Sequence, residues 1–201
     1  MPRRAERPQS RWWRALPLIA LLTTISGAAR AFEIGELMTL LGQVEQSTVA
    51  FEETKHLAAL TAPLVRRGTL RFERPDRMEM QVKSPFYERL AIAGNTLTIE
   101  NKRGTRQVDL AGQPGAAAWV ASIRATLAGD RATLARHFAI QLNGSAARWT
   151  LMLDPLDASL ASVIRRITID GAQARLSRIE VDERLGDRTV LLVQAEGDGT
   201  R

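Results

Sequence analysis

The chain has 201 residues and no cysteine, with 28 Lys and Arg against 22 Asp and Glu and a formal charge of +6. The missing cysteines exclude a disulfide-stapled mini-domain and a lipid-attachment cysteine. Much of the basic excess sits at the start: Arg3, Arg4, Arg7, Arg11, Arg14, Arg30 and the lone Glu6 fall within residues 1–31, and taking them away leaves 22 basic against 21 acidic residues, a net of +1. Binding to nucleic acid or another polyanion therefore loses its main electrostatic support.

The opening segment reads as a secretory signal peptide. Five arginines make a basic n-region, the stretch ALPLIALLTTIS from Ala15 to Ser26 is an apolar h-region, and Ala29-Arg30-Ala31 offers small residues for cleavage. The apolar run is about a dozen residues long, short of the roughly 20 that span a bilayer, so a permanent anchor is the poorer reading. Residues 1–31 are expected to be cleaved, leaving residues 32–201 as one exported domain, enough chain for one core.

The next stretch places Ile34, Leu37, Met38, Leu40, Leu41 and Val44 at helical spacing, which predicts an amphipathic helix from Ile34 to Gln46. A strand follows from about Val49. Alternating apolar and polar residues then predict strands at about 64–73, 77–83, 87–93, 95–101 and 104–110, separated by turn residues at 74–76, 84–85, 94–95 and 103–104. A helix around Trp119, Ile123 and Leu127 interrupts the run, and Asp130 is a plausible N-cap for a short helix carrying Leu134. Strands resume around Phe138–Leu142 and Trp149–Leu153, joined by the turn NGSA, and again at 163–169, 175–183 and 188–195 through DGA and LGDR turns. The stretch from Asp154 to Val163 reads as a loop or a single helical turn. The strands are too closely spaced for crossover helices, so the expected fold is α+β, mainly β: one antiparallel sheet of about 10 or 11 strands, curled into an open or half barrel with helices over its apolar concave face.

Catalytic signatures are scarce. His56 and His137 stand far apart in sequence with no HExxH, CxxC or Gly-x-Ser-x-Gly, so zinc and serine-triad chemistry lack their usual spacing. Adjacent carboxylates such as Glu52-Glu53 and Asp182-Glu183 point to opposite faces of a strand and read as solvent-facing charge. GDGT near the C-terminus lacks the other ligands of a calcium loop and reads as a frayed tail. No catalytic residue, metal or cofactor is expected. The apolar face carries more: Leu70, Phe72, Met78, Met80, Leu90, Ile92, Leu97 and Ile99 alternate with polar residues, and serve either as sheet core or as the wall of a cavity for an acyl chain. Arg74 ends a strand just before Pro75, as an exposed turn residue or as a side chain reaching over the mouth of the sheet.

The order of these features resembles a known family. An exported cysteine-free domain with an N-terminal amphipathic helix, then AFEET, GTLRFERPDRMEM, GNTLTIEN, a mid-chain helix and a terminal ITIDGAQARLSRIEVDERLGDRTVLLV looks like the LolA family of periplasmic lipoprotein carriers, here as a shortened, divergent member. The resemblance implies an incomplete antiparallel barrel with helices as a lid over an apolar cavity. It also implies that Arg74 latches the lid by hydrogen bonding and that Met78 lies in the lipid-binding region; Met80 stands where the family often has Trp. Trp119 and Ile123 complete the expected cavity.

The expected function is a monomeric periplasmic carrier of lipoproteins, lipids or polyene-like cargo, exchanging with an inner-membrane donor and an outer-membrane acceptor. The alternative is a non-catalytic interaction or sensor module on the same half-barrel, and a hydrolase is the weakest reading.

Overall fold

The computed structural model describes residues 32–112 and 114–195. The signal-peptide reading of residues 1–31 and the GDGT tail lie outside the described residues.

Helix α1 (Ile34–Gly42) buries Leu37, Met38 and Leu41, and the Glu36 carboxylate accepts the Glu33 amide at 3.0 Å, half of a capping box. It stops four residues short of the predicted end at Gln46. The reason is tertiary: β1 (Gln46–His56) already begins there, because Gln46 pairs with Glu73 of β2 (Leu64–Glu73) and the Glu45 carbonyl accepts the Arg74 amide. Strands β3 (Arg77–Ser84), β4 (Glu88–Ala93), β5 (Thr96–Asn101) and β6 (Gly104–Asp109) form the meander. A 3-10 turn at Leu110–Gly112, helix α2 (Pro114–Ala128) and helix α3 (Arg131–His137) follow. The chain ends with β7 (Phe138–Ser145), β8 (Arg148–Pro155), the one-turn helix α4 (Ala158–Ala161), β9 (Ile164–Ala172), β10 (Arg175–Glu183) and β11 (Arg188–Ala195).

All eleven strands join one curved, unclosed sheet in the order β6-β5-β4-β3-β2-β1-β11-β10-β9-β8-β7, with every pair antiparallel. Two meanders are thus zipped together in the middle by β1 and β11. Directly opposed residues share a face. Following the pairs outward from Phe51, which faces Val193 and Gly68, puts Leu70, Met80, Leu90 and Ile99 on the same face as Ile179, Ile169, Leu151 and Leu142. The other face carries ion pairs such as Arg67–Glu52, Arg89–Glu79 and Arg178–Asp170.

The densest core sits at one end of that apolar face. Leu37, Met38 and Leu41 of α1, Ala125 of α2, Leu134 of α3 and Leu160 of α4 pack on Phe138, Leu151, Leu153, Ile167 and Ile169 of β7–β9. Trp149 is its largest fully buried side chain, 1 % exposed, with its indole N–H donating to the Gln173 carbonyl at 2.9 Å.

The two predicted turns NGSA and DGA are corrected here. Gly144 and Gly171 lie inside β7 and β9, on either side of Trp149, and the chain reverses later, at 146–147 and 173–174. A Cβ on Gly171 would come within 2.2 Å of the indole ring, so glycine serves the packing of tryptophan and not a reversal. Gly171→Ala should cost about 2–3 kcal/mol by overpacking, whereas Gly35→Ala, in open space on α1, should be neutral or gain up to about 0.5 kcal/mol. Urea denaturation of the two variants measures the contrast.

Candidate functional site

The apolar face is not uniformly filled. On β8 and β9 its residues are buried, Leu151 at 0 % and Leu153 at 1 % exposed, while on the edge strand β7 Phe138 is buried and Ile140 and Leu142 are half-buried. On β2–β5 it is still continuous: Leu70 opposes Met80 and Phe72 opposes Met78, then Met80 opposes Leu90, Met78 opposes Ile92, Leu90 opposes Ile99 and Ile92 opposes Leu97. Phe72 and Ile99 are buried there, but Leu70, Met78, Met80, Leu90, Ile92 and Leu97 are only half-buried. One sheet face is therefore closed over β8 and β9 and partly open over β2–β5. Ile123 of α2 is also half-buried. Trp119 belongs to α2 as well, though its side chain lies outside the described residues.

Arg74 joins this open half to the helices. Its backbone leaves the end of β2, and the side chain lies between the C-termini of α1 and α2. The Nε donates to the Val44 carbonyl at 2.9 Å, and one terminal nitrogen donates to the carbonyls of Gly42 and, at 3.0 Å, Ala128. The Gly42 and Ala128 carbonyls lie at helix ends, where they lack intrahelical donors and where the partial negative charge of each helix is concentrated, and Val44 follows just after α1. One guanidinium with forked donors satisfies both ends at once. The exposed-turn reading of Arg74 is thereby corrected.

Gly129 makes that junction possible. It ends α2 with φ +69°, and a Cβ there would lie 2.1 Å from the Met38 carbonyl of α1. Asp130 then caps α3, accepting the Thr133 amide at 3.0 Å. Hydrogen bonds from Thr133 hold its carboxyl below the usual aspartate range. The cap therefore contributes fully above the ordinary aspartate pKa and is lost as pH falls through the lowered value. Arg124 of α2 adds a second tie, donating to the Gly94 carbonyl in the β4–β5 turn at 2.7 Å.

One polar cluster interrupts the apolar face. Glu53 is 7 % exposed, shares that face with Phe51, and is ion-paired to Arg66, which also reaches Glu88 at 3.3 Å. The hydrogen bond that Arg66 donates to Glu53 raises its guanidinium above its ordinary value against the opposing effect of burial. This corrects the reading of Glu53 as solvent-facing: strand alternation sends Glu52 outward to Arg67 and Glu53 inward, where only a charge partner makes burial tolerable. On the opposite face a depression of about 330 Å³ is lined by Asp154, Arg165, Arg166 and Asp182, whose charges pair with one another. Arg166 holds the Asp154 carboxyl below the usual range through two hydrogen bonds, 2.6 and 2.7 Å. Among the described residues no group of three or more His, Asp or Glu side chains is placed to hold a metal ion.

The profile of the family described as outer membrane lipoprotein carrier protein LolA-like matches residues 26–200. The chain belongs to the LolA-like family. No curated protein matches the chain. Solved structures resemble this LolA-like protein distantly. A LolA superfamily protein from Nitrosomonas europaea shares 10% identity over 83% of this chain and 94% of its own, with a TM-score of 0.45. A putative outer membrane lipoprotein-sorting protein domain from Vibrio parahaemolyticus shares 10% identity over 85% and 94%, with a TM-score of 0.42. The MucA/MucB complex of Pseudomonas aeruginosa contains a chain that shares 10% identity over 82% of this chain and 59% of that one, with a TM-score of 0.43. At these scores the likenesses have no bearing on function.

The alternation of β2–β5 made the open face legible in the sequence. The Glu53–Arg66 pair was missed, although an acidic residue in phase with Phe51 is a signal that could have found it. Arg74→Leu should leave the sheet intact and loosen the helices, at a cost of about 1–3 kcal/mol for the carbonyls left without a donor. Hydrogen exchange checks this: amides in the last turns of α1 and α2 should exchange faster, with β1 and β11 unchanged.

Proposed function

We propose that the protein is a periplasmic carrier that shelters the acyl chains of a lipoprotein or lipid during transfer toward the outer membrane. Residues 1–31 are its cleaved signal peptide and residues 32–201 its single carrier domain. The observation that carries this reading is the contrast within one sheet face, closely packed under the helices on β8 and β9 and half-open on β2–β5. The sheet acts as a half-barrel whose concave face is covered by α1–α3, and acyl chains lie against Leu70, Phe72, Met78, Met80, Leu90, Ile92, Leu97 and Ile99, with Ile123 above them.

The energetics suit transfer without chemistry. Burial is worth roughly 0.8 kcal/mol per methylene, so a chain of about sixteen carbons gains about 12 kcal/mol when fully enclosed. A bilayer offers the same chain similar burial, so movement between membrane and cavity is near thermoneutral. The two methionines favour this, because unbranched thioether side chains adapt to partners of varied shape. Arg74 is the latch: while its guanidinium holds the ends of α1 and α2 the helices stay over the face, and release of those bonds lets cargo pass. No residue in this scheme acts as nucleophile, acid or base, and no cofactor takes part. An inner-membrane donor and an outer-membrane acceptor supply direction.

Native mass spectrometry of protein recovered from its own host, with extraction of bound lipid, tests the proposal. A reproducible lipid or lipopeptide supports it; protein that stays empty when offered lipidated ligands overturns it in favour of an interaction module. Two variants sharpen the result. Met78→Glu, at a half-buried position, should fold and lose bound lipid at least about tenfold, as expected for a charge placed against an acyl chain. Arg74→Leu should still bind but transfer at a changed rate, and unchanged transfer kinetics would remove the latch.

A further inference from the structure

The connections between strands divide into two ends of the sheet. Those joining β1–β2, β3–β4, β5–β6, β8–β9 and β10–β11 leave at the end remote from Arg74. Of the large apolar side chains exposed among the described residues, all but Leu192 lie at that end. Leu60 and Leu64 are 48% and 49% exposed, Phe86 73% and Leu185 90%. Single exposed apolar residues are ordinary on any surface, but their collection at one end of one sheet is not.

We propose that this end of the sheet docks on a lipid bilayer containing anionic headgroups, with Phe86, Leu60 and Leu185 entering the interface. Three observations favour a lipid surface as the occupant. First, the β1–β2 connection at residues 57–63, LAALTAP, has no charged residue, so it enters the headgroup region with no ionised side chain to desolvate. Second, Leu60, Phe86 and Leu185 lie on separate connections; neighbouring hairpins stand about 10 Å apart at strand spacing, which suits insertion at several points into a fluid layer. Third, the charges are complementary. Lys83 beside Phe86 and Lys102 on the β5–β6 turn are exposed and have no carboxylate partner among the described residues, while Asp187 and Asp157 at the same end are engaged by backbone amides.

The platform is held in shape. Asp187 accepts the Ala58 amide at 2.9 Å, tying the β10–β11 turn to the β1–β2 connection, and Arg184 donates to the carbonyls of Val163 and Ala161, both at 2.8 Å, tying the same turn to the β8–β9 connection. Apolar side chains on braced loops stay presented to solvent and need little ordering on contact. The inference is independent of the cargo: docking can be present in a protein that carries nothing, and absent from one that carries lipid.

Vesicle co-sedimentation tests it, using the protein in the form released by its host and phosphatidylcholine vesicles with or without phosphatidylglycerol. The wild type should bind the phosphatidylglycerol vesicles, and Phe86→Asp with Leu185→Asp should lower partitioning at least about tenfold. Lys83→Glu with Lys102→Glu should reduce binding toward the level seen with phosphatidylcholine alone. Since these positions are exposed, circular dichroism should show all variants folded. A labelled Phe86→Cys variant, unique because the chain has no other cysteine, gives a second readout, its environment-sensitive dye shifting to the blue on vesicles. Equal partitioning of wild type and the Asp double variant, or a dye that does not shift, overturns the proposal. So does a change in oligomeric state between them with no vesicle binding, which would assign the surface to a protein contact.

Discussion

Antiparallel pairing imposes one phase on this molecule. Side chains alternate along each strand and opposed residues share a face, so a single choice of phase is carried through every ladder from β6 to β7. A slip of one residue anywhere would exchange apolar and charged faces beyond it. Where the count must change, the structure inserts a residue without losing phase. Arg67 opposes Ser84 but Gly68 opposes Val82, leaving Lys83 as the extra residue, and a Cβ on Gly68 would lie 1.8 Å from the Gln81 carbonyl. The result is an apolar surface wider than four short helices can cover, and the helices gather on β7–β9.

That phase explains what could be read from the chain. The strand pattern, the central helices and the Asp130 cap follow from alternation, helical spacing and a capping side chain, all local in sequence. The errors arose where a distant partner decided the matter. Gly144 and Gly171 look like turn residues because glycine permits reversal, yet both lie within strands: Gly171 stands against the Trp149 indole, and Gly144 lies close against the backbone of Arg148. The end of α1 was read too late because Gln46 can continue a helix, and nothing nearby in sequence reveals that Glu73 pairs with it. Glu53 was read as exposed because its neighbour is acidic too.

The candidate site shows the same division. Its apolar face was legible residue by residue, whereas the role of Arg74 depended on α1 and α2 ending at the same point in space. Three carbonyls converge on that side chain, Gly42 at the end of α1, Val44 just beyond it and Ala128 at the end of α2. Gly129 is the hidden partner in this, since the close approach of the helix ends depends on a residue without a Cβ.

The pairing of β1 with β11 also bears on how the chain reaches this state. The strands that join the two meanders are the first and the last in sequence, opposed from Val49–Ala195 to His56–Arg188. Each meander can assemble from near neighbours, but their seam requires contacts spanning almost the whole described chain. Closure over such a separation is entropically costly and slows folding. Until β11 arrives, β1 and β10 are both unpaired edges with an apolar face beside them, the kind of surface on which strands from other molecules add. The final strand thus covers two of the four open edges of the nascent fold and leaves only β6 and β7 as edges.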